Sequence, residues 1–408
     1  MRPRAREPII LLLCLLLLGS CTFLRMVRYG NSDIDDHCCI FPTRELTASA
    51  HPRPFPRASA ALTAGGSQAA LPEGGAGNVR GTLPTHVARE LDAFLAAHDT
   101  GAFLVVHRGA IVYERYFGDH RRDSATLAFS MSKSVLSLLV GCAVDDGIIA
   151  SVQQPVTDYV PELADRGFGE VTIEHLLQMT SGMDFRESPS PLRQHPYFYY
   201  GDDLERRLLR QKLAVPPGTE FAYKSGENQL LGLVLARALG EETITSYTQR
   251  RVWEPVGMEF GGCWAVDHEP GGLEKTFCCL AIAARDVAKI GRLYLDEGRA
   301  AVEQVVSPEW VRRSLAVDTS AGSVVFYQYQ WWLPFADSPV FMASGHRGEF
   351  LYVNPELDLI MVRLGPSTGH LSHAEWRAYL YGLEEAFGLR LPGPPPVDLV
   401  AAWFGHRR

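Results

Sequence analysis

The sequence predicts an α+β fold, in which an antiparallel sheet is flanked by helices and carries an inserted helical subdomain. Three observations support this. Strand-like runs lie early in the globular part and again near its end. The stretches between them follow helical periodicity. The chain has 408 residues, enough for one large or two intermediate domains with ample core.

Taken in order, Gly101 to Phe117 reads as a β-hairpin. Ala102 to Val106 and Ile111 to Tyr113 flank the turn pair Arg108-Gly109. Val135 to Val144 is apolar almost all round and stops at Gly147, the pattern of a helix buried on every side. Thr172 reads as the N-cap of a helix that Gly182 ends. Pro216-Pro217-Gly218 is a turn leading into Phe221-Ala222-Tyr223. Gly226 to Gly240 is helical, with Leu230, Leu231, Val234, Leu235 and Leu239 on the inner side. From about Lys275 onward, strands are expected around Gln330 to Trp332, Phe350 to Val353 and Leu359 to Leu364. A last helix, Ala374 to Phe387, precedes a Pro-rich tail. No internal repeat is seen.

The N-terminus reads as a targeting segment. Arg2, Arg4 and Arg6 precede the apolar run Ile9 to Leu18, and Leu18-Gly19-Ser20-Cys21 resembles a bacterial lipobox. Cleavage before Cys21 and acylation of its thiol are expected, with an uncleaved anchor from Ile9 to Leu24 as the alternative. That run is shorter than the ~20 residues of a usual span. Either reading exports the rest of the chain and tethers it to a membrane. Residues 45–82 are rich in Ala, Pro, Gly and Ser and read as a linker, with Asn31 to Phe41 docking ahead of it. The domain expectation is therefore 1–21 signal, 22–84 extension and linker, and 85–408 catalytic domain.

The net charge of −8, with no basic stripe beyond the extreme N-terminus, gives no support to a nucleic-acid partner. No His-x-x-x-His or Cys-x-x-Cys spacing occurs, so neither a zinc site nor another cofactor is expected. Asp35 to Cys39 is a possible ligand cluster but reads as a solvated loop. Among eight cysteines, Cys38-Cys39 and Cys278-Cys279 are adjacent pairs. Neighbours rarely bridge each other, so each pair is expected to offer at most one partner to a long-range disulfide. Cys142, in the apolar helix, reads as a small buried hydrophobe.

The chemistry concentrates in three ordered motifs. Ser130-Met131-Ser132-Lys133 opens the apolar helix, and residues three apart share a helix face. An amine there can take the hydroxyl proton if its pKa falls from the free value of ~10.4. Tyr223-Lys224-Ser225-Gly226 follows. Ser344-Gly345-His346-Arg347-Gly348-Glu349 then precedes a strand.

In this order the motifs resemble those of the serine β-lactamase-like superfamily. The similarity is greatest to its class C-related branch of esterases, D-aminopeptidases and 6-aminohexanoate-oligomer hydrolases. Leu176 to Gly182, Pro216 to Gly218, Ala284-Arg285-Asp286 and Gly291-Arg292-Leu293 extend the likeness, which runs from about Ala102 to Leu389. The resemblance implies a β-lactamase/transpeptidase-like layout with the site between two subdomains. It implies Ser130 as nucleophile, with Lys133 and Tyr223 as a coupled pair of candidate bases, Tyr223 activated as phenolate by the nearby ammonium. Ser225 is expected to bond Lys133 or substrate. His346 is expected either to polarise substrate or orient Tyr223, or to be merely structural. Arg347 is expected to bind a carboxylate or face solvent, and Gly348 to let substrate approach. The N–H groups of Glu349 and Ser130 are expected to form the oxyanion hole. Tyr197, Phe198, Tyr199 and Tyr200 are expected either to line the groove or to pack beneath it.

The leading functional expectation is an exported serine hydrolase acting on a small-molecule ester, amide or peptide. The alternatives are a D,D-peptidase, D-aminopeptidase or β-lactamase of the cell envelope, and a non-catalytic envelope lipoprotein. Oligomeric state is not legible.

Overall fold

The computed structural model describes residues 22, 25, 26, 40–58, 85–188, 190, 193–391 and 393–405. The apolar run Ile9 to Leu18, Cys21 and the Asp35 to Cys39 cluster lie outside the described residues. Among the described residues no helix is long and apolar enough to cross a membrane.

A seven-stranded antiparallel sheet forms the centre. Its order is Ala110–Tyr116, Ala102–His107, Leu359–Leu364, Phe350–Asn354, Phe341–Ser344, Trp331–Trp332 and Tyr327–Gln328. The first hairpin turns where expected, because Arg108 and Gly109 both take positive φ, as a two-residue turn matching strand twist requires. Strand alternation sends Leu104, Val106, Ile111, Leu351, Val353, Ile360 and Val362 into the main core. Phe103, Val105, Tyr113, Phe350, Tyr352 and Met361 face the other way, onto Leu91 and Leu95 of helix Thr85–Ala97 and Trp376 and Leu380 of helix His373–Ala386. Helix Ala284–Leu295 covers the main-core face. A Cβ on Gly291 would meet Leu351, Val353 and Ile360 at 3.0–3.3 Å, so glycine permits this close seat.

Helix Met131–Asp145 runs through the main core with thirteen of its fifteen residues buried, Met131 to Ala143 without a break. Each fully buried leucine or valine contributes on the order of 1.5–3 kcal/mol, which makes the helix a rigid mount. Between Asp145 and Tyr327 most of the regular elements are helices, with Ser225–Leu239 the longest, so the inserted helical region is observed. Thr172 is an N-cap, completed by a capping box with His175, but this helix stops at Leu177, well before Gly182. The chain turns there because Met179 adopts φ 59°.

Two expectations are corrected. Residues 45–57 are not linker. Thr43–Leu46 is an edge strand pairing with Gly262–Ala265, in a second sheet that also holds Leu280–Ala283 and Ala125–Leu127. Beyond it, Ser49 N–H donates to Met258 (3.0 Å), Arg53 N–H to Gly257 (3.0 Å) and Ala58 N–H to Ile111 (2.9 Å). Composition suggested a solvated segment, but backbone hydrogen bonds with distant partners order it. The Pro-rich tail is also followed by a further helix, Leu399–Gly405. It packs through Val400 and Trp403 on a cluster containing Phe221, Phe326 and Tyr223.

Candidate active site

Ser130 stands at the N-terminus of the buried helix, behind a constrained bend. Phe129 has φ 43°, a left-handed conformation that costs a non-glycine residue of order 1 kcal/mol or more. The bend lifts Ser130 out of the core while Ser132 and Ser134 point inward. Those two hydroxyls are already used: Ser132 Oγ accepts from Leu280 N–H (3.2 Å), and Ser134 Oγ donates to the Gln330 carbonyl (2.7 Å).

Lys133 Nζ lies 2.8 Å from Ser130 Oγ and 2.7 Å from the Phe277 carbonyl. The side chain is almost wholly buried. Burial lowers its pKa to about 7, against an opposing pull from the Glu187 carboxylate. A substantial share of Lys133 is therefore neutral at physiological pH. The ring of Tyr223 lies beneath its amine, 5.1 Å to the centroid, and stacks on Trp332 at 5.3 Å.

Tyr223 shares the cavity wall with Ser130. Its pKa moves opposite to expectation. Burial raises it, and the Ser130 hydroxyl offsets this only in part. The ammonium that was to stabilise a phenolate is itself pushed toward its neutral form, so Tyr223 is a phenol and a proton donor.

The expected partner of Ser225 is also corrected. Its N–H and Oγ both donate to Glu187, at 2.9 and 2.6 Å, and neither reaches Lys133. His195 Nε2 lies 3.5 Å from the same carboxylate, and burial lowers its pKa. Glu187 and His195 sit in no recognisable motif, and only the folded chain brings them beside Ser225.

The third motif forms a tight turn between the strands Phe341–Ser344 and Phe350–Asn354. Gly345 permits it to approach the nucleophile: a Cβ there would lie 2.7 Å from the Ala128 carbonyl, two residues before Ser130. Gly348 has a different role from the one expected. It has φ 88°, and a Cβ would strike the Arg363 guanidinium at 2.7 Å, so it serves the turn and its packing. Glu349 is fully buried. Its carboxylate accepts from Arg347 N–H (3.0 Å), and burial raises its pKa to about 7.

The turn residues that face the cavity are Ser344, Gly345, His346 and Arg347, not Glu349. Neither the N–H of His346 nor that of Ser130 donates to another described backbone group or side chain. His346 meets Phe129 edge-on at 6.3 Å and makes no contact with Tyr223. Arg347 is half-buried, with its guanidinium near the Pro366 carbonyl (3.3 Å) and over Phe129.

These residues border a cavity of about 1160 Å³ whose wall includes Ser130, Tyr223, Ser225, Glu187 and His195. The aromatic stretch is a helix, Gln194–Tyr200, and divides its roles. Tyr199 and Tyr200 line the cavity, whereas Phe198 packs on Phe185. Lys275 holds the end of this helix: its buried Nζ donates to the carbonyls of Phe198, Tyr199 and Gly201 at 2.9–3.2 Å. Cys278, also on the wall, is joined to Cys279 by a disulfide, contrary to the expectation for neighbouring cysteines. Cys142 is buried against Val305, as expected.

A serine hydroxyl bonded to a buried amine, beneath a turn with unspent N–H groups, is the arrangement that serine acyl transfer requires. Residues 87–381 match the Beta-lactamase family, and the chain belongs to it. It is a hydrolase of the serine β-lactamase class.

Among relatives, it is 28% identical over 309 residues to a 6-aminohexanoate-dimer hydrolase of Paenarthrobacter ureafaciens, covering 69% of this chain and 77% of that protein. It is 31% identical over 193 residues to esterase EstB of Burkholderia gladioli, covering 42% of this chain and 48% of EstB. The fold matches a Bacillus anthracis structure provisionally named a 6-aminohexanoate-dimer hydrolase, with TM-score 0.72, 20% identity and coverage of 88% and 94%. It also matches a penicillin-binding protein homolog from Caulobacter crescentus, with TM-score 0.54, 18% identity and coverage of 70% and 93%.

Proposed function

We propose that the protein is an exported serine hydrolase that cleaves esters or amides through an acyl-enzyme on Ser130. The carrying observation is the buried Lys133 amine 2.8 Å from Ser130 Oγ, with its pKa held at about 7. Neutral Lys133 takes the Ser130 proton as Oγ attacks the carbonyl carbon. The N–H groups of Ser130 and His346 receive the developing oxyanion. Tyr223, still carrying its proton, donates to the leaving group and is reprotonated from Lys133. Water then attacks the acyl-enzyme, and the same groups work in reverse. Glu187 anchors Ser225 and sets the field at Lys133.

The substrate reading follows from the third motif. His346 and Arg347 stand where the resemblance leads one to expect lysine and threonine, and Ser225 stands in place of asparagine. The side chains that would hold a lactam and its carboxylate are missing, while the acyl-transfer groups remain. Measurable kcat/KM is expected on p-nitrophenyl acetate and butyrate, with marginal turnover of a chromogenic cephalosporin. A cephalosporin value above the ester value on the same preparation would restore the β-lactamase reading.

Export rests on the N-terminal sequence alone. Mass spectrometry of the mature protein is expected to find cleavage after Ser20 and an acylated Cys21. A Cys21→Ser protein that is processed normally and stays membrane-bound would point instead to the uncleaved anchor.

A further inference from the structure

The cavity opening is built from both chain ends. Residues that line the cavity and also reach solvent mark that opening: Phe404, 43% exposed, Gly405, Ser372 and His346, with Met26 and Ala401 partly covered. The rim thus carries apolar residues, Met26 and those of helix Leu399–Gly405, together with polar ones, Ser372 and His346. The N-terminal piece is docked here. Thr22 is buried, and Arg25 donates to the carbonyl of Tyr200, itself a wall residue.

The position of this docking matters because of what precedes it. The apolar run ends at Leu18, four residues before Thr22. An extended chain spans at most ~3.6 Å per residue, so Thr22 lies within about 15 Å of the end of that run. The Ala- and Pro-rich stretch between Ala58 and Thr85 cannot lengthen this connection. It lies downstream, in sequence, of both Thr22 and the hydrogen-bonded segment 49–58. Under either reading of the N-terminus, an anchor or lipid on Cys21, the tether would meet the membrane within that distance of Thr22. Three of the six large apolar side chains exposed among the described residues, Leu391, Val397 and Phe404, fall in the C-terminal stretch that ends at this rim.

We infer that the enzyme takes a long-chain acyl ester from the bilayer, threading its chain past Met26 and Phe404 to present its carbonyl to Ser130. This rests on the hydrolase and membrane-tether readings above. The reaction balances without a co-reactant other than water. Ser130 Oγ forms the acyl bond as the carbonyl–alkoxy bond breaks, and the alcohol leaves with one proton. Water then cleaves the acyl bond to give a fatty acid and restore the serine. A mouth that combines apolar and polar residues suits an amphiphile, whose head stays near Ser372 and His346 while its tail leaves hydrocarbon only for Met26 and Phe404.

The test uses the full-length chain with phosphatidylcholine vesicles carrying p-nitrophenyl palmitate, and p-nitrophenyl butyrate in solution. The chain is expected to float with the vesicles. Palmitate kcat/KM should exceed butyrate kcat/KM by at least tenfold. The Leu391→Asp/Val397→Asp variant should lower that ratio at least fivefold, as should Phe404→Asp. Butyrate hydrolysis with no palmitate preference, an unchanged ratio in both variants, or failure to float would overturn the bilayer inference and leave the hydrolase reading standing. Absence of hydrolysis of either ester, together with no fluorophosphonate labelling, would overturn both.

Discussion

Ser130→Ala is expected to abolish turnover and fluorophosphonate labelling, with a fall in kcat of ~10⁴ or more, the scale on which removal of a nucleophile acts. The fold should survive. Ser130 makes no side-chain capping bond, so alanine costs at most ~1 kcal/mol at this helix start. Ser132→Ala and Ser134→Ala should both keep the label, because those hydroxyls are committed to Leu280 and Gln330 inside the core. Circular dichroism on the same preparations separates loss of chemistry from loss of fold. A labelled, active Ser130→Ala protein would end the proposed mechanism.

Lys133→Ala should lower kcat by ~10²–10⁴, the usual range for a general base. It should also remove a limb of the pH profile. In the proposed mechanism Lys133 works as the free amine, and burial has brought its pKa to about 7. Activity of the native enzyme should therefore rise with pH through about 7 and level off above it. A profile with no inflection near 7, or one that persists in Lys133→Ala, would assign the base elsewhere. Tyr223→Phe should cost a similar factor. The double variant should be little worse than the worse single one, because the two groups relay one proton. The same lysine shapes stability. Its folded pKa lies below the unfolded value of ~10.4, so the unfolded chain binds more protons between about 7 and ~10. Its contribution to folding stability accordingly rises with pH across that window. Lys275, also buried and lowered to about 7, adds in the same direction.

How much of this was readable in advance depended on the range of the interaction. Ser130 and Lys133 are one helical turn apart, so local geometry alone brings them together. The long apolar helix and the first hairpin carry equally local signals. The class of fold followed from the order of such segments. Glu187 and His195 were not legible, because they lie in and beside an irregular stretch and their meeting with Ser225 is a tertiary event. The strand Thr43–Leu46 was hidden for the same reason: its hydrogen-bond partners lie more than two hundred residues away. The third motif is ambiguous by register. In a five-residue turn every position looks eligible, and only the folded chain buries Glu349 and places His346 on the cavity wall. The direction of the Tyr223 pKa is not legible in the sequence either, because it is set by burial, a tertiary property.

Lys275 carries a consequence for how this enzyme can diversify. Its ammonium holds the aromatic helix by three main-chain carbonyls and no side chain, so the grip is indifferent to which residues that helix displays. Tyr200 can therefore be exchanged with little disturbance to where the wall stands, whereas Tyr199 is buried and packs edge-on against Phe41 at 5.4 Å. Such a wall behaves as an interchangeable panel. Selection, or a directed library at Tyr200, can reshape the cavity without rebuilding the scaffold that carries Ser130.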